Sequence, residues 1–413
     1  MKNKTVKRLF PLLLAVCVLL MYVLSRPAPE SGWSAIEGQT VYYAQGQPVT
    51  GWQEIDGNRY YFGDDGYLRT GWQEIDGSRY CFDDTGIMHT GWFANAHYFH
   101  PDGKLATGWL DLDGKRYYLG SDGRLKKGIV EEADGSKYLL GEQGFVSYGW
   151  TEVNGRLYYA DTEGHPVQGW QEIDGKKHYF EASGVAASGW IGMDGFDYYF
   201  YTDGAPAQGK LTIDGTDHYF ASTGQHLLLV NPWHPLPEDY TVELVPITET
   251  HQIAAIAYED YLDMMTDCKA AGHVPAVCSS YRTQEYQEML YRNRIDRYVW
   301  AGHTEEKATE LAGQSVAIPG TSEHQLGLAL DIVDNNNWHL DESQAEMPTQ
   351  QWLMANSWRY GWILRYPSEK SEITGIIYEP WHYRYVGRTV AKEIFEMGVC
   401  LEEYLEILTD SVG

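Results

Sequence analysis

Two histidines and two carboxylates lie in two short blocks of the C-terminal half of the chain. His324 and Asp331 belong to the first block, and Glu379 and His382 form the second. Two imidazoles and a carboxylate suit zinc, which binds nitrogen and oxygen ligands tetrahedrally and keeps one position open when it is catalytic. The pattern predicts His324, Asp331 and His382 as zinc ligands. Glu379 is predicted as the general base of a hydrolase, because it is placed to accept a proton from water that the metal activates.

The surroundings of Asp331 strengthen this interpretation. From Leu326 to Ile332 only Gly327 and Asp331 interrupt an apolar run, which predicts a buried strand. A carboxylate in such a run is costly unless it is paired or bound to a metal. The separations within both blocks are odd, so a regular strand would point the members of each pair to opposite faces. We therefore expect a turn or bulge in each block, with Pro380 as a suitable place in the second.

These residues carry a resemblance to a known family. The two motifs read Ser322-x-His324-x-x-Gly327-x-Ala329-x-Asp331 and Glu379-x-Trp381-His382. They resemble the signature of the VanY-type zinc D-alanyl-D-alanine carboxypeptidases, which are related to the D-Ala-D-Ala dipeptidases and to the LAS group of murein peptidases. The similarity extends over residues 227–398 and includes Ser280-Tyr281-Arg282-Thr283.

The resemblance implies roles for further residues. Arg282 would stabilise the developing oxyanion or hold the substrate. The side chains expected to line the substrate pocket are Ser322, Arg365, Tyr366 and Trp381. The ligand and base assignments are the same as those made from the residue types.

The N-terminal segment and the charge indicate where the protein acts. The chain has 413 residues, enough for two or three domains, and a net charge of −27, which argues against a nucleic-acid partner. Basic residues precede an apolar run from Leu9 to Leu24, which is typical of an export signal. Residues 1–26 are predicted to be a cleaved signal peptide or an uncleaved membrane anchor. We expect an extracellular, wall-associated protein that touches the membrane only through this segment.

Four cysteines lie outside the export segment, at positions 81, 268, 278 and 400. They do not form the framework expected of a disulfide-stabilised chain. Cys268 and Cys278 are close enough in sequence to pair, but the interpretation we favour is free, buried thiols.

Residues 32–225 repeat with a period of about 20. The Gly-Trp pairs that mark the period have their tryptophans at 33, 52, 72, 92, 109, 150, 170 and 190. Within a unit, Asp56-Gly57 separates two aromatic-rich segments, which predicts a hairpin. One hairpin cannot bury both its faces, so the units must stack. The sequence therefore predicts an all-β hairpin-repeat solenoid.

The units resemble the cell-wall-binding repeats of the choline-binding and glucan-binding type. Such a resemblance implies a ligand held between aromatic side chains, and quaternary ammonium suits such a cage. The units depart from the choline-binding pattern near the Tyr-Tyr pair, where Arg59, Arg79 or Arg116 stands instead of a tryptophan. Teichoic-acid choline and a wall glycan both remain possible ligands.

The remaining chain, residues 227–410, is predicted to be an α+β domain with an antiparallel sheet. Helices are predicted over 249–271, 283–301 and 344–360. Strands are predicted over 276–279, 326–333, 362–365, 376–378 and 382–386. Most of the candidate metal ligands fall on or beside these strands.

Together these features predict a multidomain, wall-associated zinc D-alanyl-D-alanine carboxypeptidase that trims peptidoglycan stem peptides. An L,D-carboxypeptidase or a murein endopeptidase would use the same apparatus. A wall-binding, adhesin-like protein with an inactive peptidase domain is the alternative from another class, although the intact set of ligands and base argues against it.

Overall fold

The computed structural model describes residues 29–412, which divide into two compact units between Val167 and Gln168. The predicted export segment, residues 1–26, lies outside the described residues. Within residues 29–412, no helix combines the length and the apolar character needed to cross a membrane.

The first unit consists of antiparallel hairpins. It opens with a three-stranded sheet of Ser31–Ile36, Gln39–Ala44 and Gln47–Pro48. The hairpins that follow pair Gly51–Ile55 with Asn58–Phe62, Gly71–Ile75 with Ser78–Phe82, Gly91–Phe93 with His97–Phe99, Gly108–Leu112 with Lys115–Leu119, Gly128–Glu131 with Lys137–Leu140, and Gly149–Val153 with Arg156–Ala160.

The turn and the tryptophan of each hairpin explain why successive hairpins stack. Asp56 and Gly57 have φ of 51° and 77°, as a two-residue type I′ turn requires, and they join the paired residues Ile55 and Asn58. The Trp52 ring packs edge-on against Tyr61 of its own hairpin, with 5.1 Å between centroids, and against Tyr80 of the next hairpin at 4.8 Å. Each hairpin therefore covers aromatic surface of its neighbour, and the predicted stacking is confirmed.

The second unit begins with three more hairpins. They pair Gly169–Ile173 with Lys176–Phe180, Gly189–Met193 with Phe196–Phe200, and Gly209–Ile213 with Thr216–Phe220. An α+β arrangement follows. Its α-helices are Tyr258–Ala270, Gln284–Trp300, Glu305–Gly313, Pro348–Asn356, Ser371–Thr374, Arg388–Met397 and Leu401–Val412. Its 3₁₀ turns are Ala255–Ala257, Glu323–Leu326, Glu342–Glu346 and Ser357–Tyr360.

The central sheet of this arrangement has four antiparallel strands. Their order is Pro275–Ser279, Ala329–Asp334, His382–Tyr385 and Trp362–Leu364, and a separate hairpin pairs Leu244–Pro246 with Gln252–Ala254. The predicted antiparallel sheet is confirmed. Two predictions were wrong in detail. Residues 376–378 are not a strand, and the first helix begins at Tyr258 rather than near residue 249.

The last repeat hairpin packs against the C-terminal helices. Ala221 and Leu227 share a buried cluster with Val390, Leu401 and Tyr404. A polar contact reinforces this packing, since the Ser222 hydroxyl lies 2.7 and 2.8 Å from the two carboxylate oxygens of Glu393. The domain boundary predicted between residues 225 and 227 therefore falls inside a shared core.

All four cysteines in residues 29–412 are free thiols, as the sequence favoured. Cys268 is fully buried, and burial raises the pKa of the Cys268 and Cys278 thiols to about 12. Both side chains are therefore uncharged and poorly nucleophilic at neutral pH.

Candidate metal centre

The local backbone brings His324 and Asp331 to the same side. His324 lies in the 3₁₀ turn Glu323–Leu326, which ends at Gly327 in the left-handed region with φ of 73°. Only after this turn does the strand Ala329–Asp334 begin. A side chain at Gly327 would also approach the Ala254 nitrogen within 3.2 Å, so glycine suits both the conformation and the space. The turn that the odd spacing requires is therefore present.

The second block uses a turn of its own. The backbone N–H of His382 donates to the Glu379 carbonyl at 3.1 Å, which reverses the chain through Pro380. His382 then starts the strand His382–Tyr385 and pairs directly with Asp331 across the sheet. Glu379 thus sits just before the strand that carries the third ligand.

The three predicted ligands meet at one buried point. His324, Asp331 and His382 each offer one ligand atom, and these atoms lie within 4.8 Å of one another. His324 Nε2 lies 3.2 Å from Asp331 Oδ2, and His382 Nδ1 lies 3.1 Å from Asp331 Oδ1. The Ser280 carbonyl accepts a hydrogen bond from His324 Nδ1 at 2.8 Å. That bond fixes the ring so that Nε2 faces the cluster.

The electrostatics of the cluster suit a cation. Asp331 Oδ1 is buried and makes no hydrogen bond of normal geometry to any described residue. Burial would raise the pKa of Asp331, yet the two histidines hold it well below its usual range. Burial lowers the pKa of His324 to about 4, which leaves that ring neutral and able to donate a lone pair. Two imidazole nitrogens and a carboxylate oxygen at one point are the donor set of a three-ligand zinc site, so these residues fit the metal.

His382 is tuned by the carboxylates around it. Burial alone would lower its pKa, but the carboxylates of Asp331 and Glu323 beside its two ring nitrogens, with the nearby charge of Glu379, raise the pKa to about 9. A metal ion at Nδ1 would take the place of that proton. The position behaves as one that holds a positive charge.

Glu379 stands beside the cluster without belonging to it. Its Oε2 lies 3.6 Å from His382 Nδ1, and its side chain is almost entirely buried. Burial raises the pKa of Glu379 to about 7, with Asp331 adding to the rise and His382 and Arg282 opposing it. A carboxylate with its pKa near neutrality suits the exchange of protons in general acid–base catalysis.

Arg282 is held by three acceptors at the edge of the centre. Its guanidinium donates to Asp331 Oδ2 at 3.0 Å, to Ser279 Oγ at 2.8 Å and to Gln287 Oε1 at 3.2 Å. The charge is therefore fixed next to the candidate ligand Asp331.

A buried ionic network lies beside Nε2 of His382. Glu323 Oε1 accepts from Arg365 at 2.7 Å and from Arg384 at 2.8 Å, while its Oε2 lies 3.7 Å from His382 Nε2. Arg365 also forms a bidentate pair with Glu402, at 2.7 and 2.8 Å. The network places a carboxylate opposite the nitrogen of His382 that does not face Asp331.

The centre opens into a cleft of about 320 Å³. Ser322, Tyr366 and Trp381 line it, and their contact with substrate stays a prediction. The prediction that Arg365 lines the pocket was wrong, because its side chain is fully buried in the ionic network. Glu323, Arg294 and Arg297 also line the cleft but were not predicted from the sequence. The two arginines could have been found from their spacing along the helix that was predicted over 283–301.

The fold and the centre define this unit as a metallohydrolase-type domain. A model of the family "VanY: D-alanyl-D-alanine carboxypeptidase" matches residues 250–388. In the repeat region, "Choline-binding repeat" matches 69–107 and "Putative cell wall binding repeat" matches 50–68, 107–125 and 168–186.

Similar proteins agree with these matches. A D-alanyl-D-alanine carboxypeptidase of Enterococcus faecalis is 44% identical over 180 residues, which cover 43% of this chain and 65% of that protein. The putative carboxypeptidase YodJ of Bacillus subtilis is 35% identical over 191 residues, covering 44% of this chain and 67% of YodJ. A zinc-bound crystal structure of a vancomycin-resistance D,D-pentapeptidase VanY variant has 42% identity and a TM-score of 0.40, covering 43% of this chain and 97% of the other. This chain belongs to the VanY D-alanyl-D-alanine carboxypeptidase family and carries choline-binding-type cell-wall repeats.

Proposed function

We propose that this protein is a zinc-dependent D-alanyl-D-alanine carboxypeptidase that removes the terminal D-alanine from peptidoglycan stem peptides. The proposal rests on one observation. The side chains of His324, Asp331 and His382 form a buried cluster, and Glu379 lies beside it. Family membership and the zinc-bound relative support it.

The chain's own residues account for the acid–base chemistry. A zinc ion held by His324, Asp331 and His382 supplies Lewis acidity, which lowers the pKa of water and polarises a carbonyl. Glu379 removes a proton from the attacking water and then delivers it to the amine of the leaving D-alanine. Its pKa near 7 lets one carboxylate perform both transfers.

Arg282 stabilises the charge that develops on the scissile carbonyl oxygen. Its guanidinium is already held by Ser279, Gln287 and Asp331, so little reorganisation is needed during the reaction. Ser322, Tyr366 and Trp381 line the cleft and are proposed to contact the substrate.

The alternatives share this centre. An L,D-carboxypeptidase would use the same centre to cut a tetrapeptide stem, and an endopeptidase would use it to cut a cross-linked peptide. The adhesin-like alternative requires an inactive centre, and the complete set of ligands and base argues against it.

Mass spectrometry of defined muropeptides tests the proposal. The purified, zinc-loaded chain should shorten pentapeptide stems by one alanine and leave tetrapeptide stems and cross-links intact. Glu379→Gln serves as the matched control and should leave all substrates unchanged over the same period. Cleavage of tetrapeptides or cross-links instead would reassign the specificity, and no cleavage of any stem would favour the binding protein.

We also propose that the repeats bind a cell-wall glycan rather than choline. The guanidinium groups of Arg59, Arg79 and Arg116 lie 4.8, 4.7 and 4.2 Å from the ring centroids of Trp52, Trp72 and Trp109. These ring faces already hold a cation of the chain itself, so a quaternary ammonium would have to displace it. Retention on isolated walls should therefore persist in excess choline, and elution by choline would contradict the assignment.

We further propose that residues 1–26 direct export, which places the enzyme at the wall. Mass determination of protein recovered from culture medium and from membranes would distinguish a cleaved signal from an anchor. Retention of the whole chain in the cytoplasm would contradict export.

A further inference from the structure

One face of the helix Gln284–Trp300 forms a wall of the cleft. The residues it contributes are Leu290, Asn293, Arg294 and Arg297. These positions follow the i, i+3, i+4, i+7 spacing that places side chains on one side of a helix. The helix therefore directs two arginines toward the space in front of the metal centre.

The charges of these two arginines are not used within the protein. Arg282, the third arginine of the cleft, is paired with Asp331. Neither Arg294 nor Arg297 forms an ion pair with any residue in the described range, 29–412. Arg294 is half-buried and Arg297 is exposed. Two guanidinium groups without an ion-pair partner among the described residues therefore line the same cleft as the candidate metal centre.

The acidic groups of the same cleft do not supply partners. They are Glu323, Asp331 and Glu379. Glu323 is buried between Arg365 and Arg384, and Asp331 is held by both histidines and Arg282. Glu379 is almost entirely buried beside His382, with which it pairs. Arg294 therefore lines the same cleft as the candidate base without being paired to it.

The size and the other side chains of the cleft indicate which ligand can bind beside these arginines. Apolar side chains of Val316, Ile376 and Ile377 line it together with the arginines. A cleft of about 320 Å³ suits a group of dipeptide size. A D-Ala-D-Ala terminus offers two methyl groups, and its one charged group is the free α-carboxylate.

We propose that Arg294 and Arg297 bind the free α-carboxylate of the leaving residue and so restrict the enzyme to peptide ends. This inference rests on the proposed carboxypeptidase function and deepens it. An arginine fork matches the two oxygens of a carboxylate. Where the peptide continues beyond the leaving residue, as in a cross-link through a peptide bridge, an uncharged amide replaces this carboxylate and the charge-assisted, two-oxygen pairing is lost. The pair thus distinguishes an exopeptidase from an endopeptidase, which the metal motif does not.

Binding of two matched peptides tests the proposal. The probes are N-acetyl-L-Lys-D-Ala-D-Ala and its C-terminal amide, which differ only in the terminal charge. Dissociation constants are measured by calorimetry on the zinc-saturated full chain carrying Glu379→Gln, so that neither peptide is cleaved. Arg294→Gln, Arg297→Gln and the double variant are compared with Arg292→Gln. Arg292 is exposed on the same helix and lies outside the cleft.

The acid should bind at least roughly tenfold more tightly than the amide when both arginines are present. The double variant should lose roughly ten- to hundredfold in affinity for the acid and change little for the amide, and Arg292→Gln should keep the preference. A preference that survives in the double variant would overturn the inference, as would equal binding of acid and amide to the unaltered cleft. Because binding is measured without turnover, a wild-type chain that prefers the acid but cleaves nothing would contradict the peptidase proposal and leave the carboxylate site standing.

Discussion

Removing the charge of Glu323 tests how the protein supports its metal centre. The side chain is completely buried between Arg365 and Arg384 and faces His382. Glu323→Gln keeps the shape but leaves two buried guanidinium groups with only the charge of Glu402 nearby. Removing one partner of a buried ion pair costs about 3–5 kcal/mol. Glutamine retains one acceptor oxygen, so we expect the lower end of that range.

The effect should appear in both stability and metal binding. For a unit of this size, about 3 kcal/mol corresponds to a fall in Tm of roughly 6–12 °C. Zinc affinity should fall by about 10- to 100-fold, because Glu323 is the carboxylate that faces the outer nitrogen of His382. Calorimetry of the metal-free protein measures the first quantity, and competition with a chelator measures the second.

Glu310→Gln provides the matched control. Glu310 pairs with Lys307 at 2.6 Å on an exposed helix surface, where an ion pair contributes less than about 1 kcal/mol. Both substitutions remove one carboxylate charge from an ion pair, but only Glu323 is buried and lies beside the candidate metal centre. If Glu323→Gln unfolds within about 1 kcal/mol of the wild type and binds zinc equally well, the supporting role of the network is refuted.

Three further predictions concern catalysis and the division between the units. Glu379→Gln should keep zinc while its rate falls by roughly 100-fold or more, and loss of zinc with activity would make Glu379 a ligand. Since Glu379 must be ionised to accept a proton, kcat/KM should fall tenfold per unit of pH below the pKa of Glu379, which burial raises to about 7 and a bound cation would lower. A profile that stays flat down to about pH 4, near the ordinary pKa of a glutamate, would contradict a raised pKa at this base. A chain that begins at Gln168 should cleave soluble peptide but adhere less to isolated walls. A chain that begins at Leu227 should be less stable, because it lacks Ala221 and Ser222, which pack against the C-terminal helices. Equal stability of the two truncated chains would show that this packing contributes little.

The cluster of His324, Asp331 and His382 could be predicted from the sequence because its residue types and spacings lie in two short blocks. The odd separation of His324 and Asp331 required a turn, and the 3₁₀ turn ending at Gly327 provides it. The repeat period and the Asp-Gly pairs likewise predicted the hairpins, since a type I′ turn depends on two adjacent residues.

The errors concern contacts between distant parts of the chain. Arg365 and Tyr366 are adjacent in the sequence, and their residue types alone could not tell which of them lines the cleft. Arg365 instead turns toward Glu323, 42 residues earlier. The apolar residues 376–378 resemble a strand, but the Ile376 N–H donates to the Thr374 hydroxyl and both Ile376 and Ile377 line the cleft. Apolar residues that line a cleft and apolar residues that pack within a sheet leave the same local sequence pattern.

Metal removal and restoration tests the central claim most directly. Purified protein is stripped with a chelator, reloaded with zinc, and assayed at each stage for metal content and for release of D-alanine from N-acetyl-L-Lys-D-Ala-D-Ala. Activity should disappear with the metal and return in proportion to zinc, up to about one ion per chain, while His324→Ala should neither hold zinc nor regain activity. Full activity in the metal-free wild type, or in His324→Ala, would contradict the account.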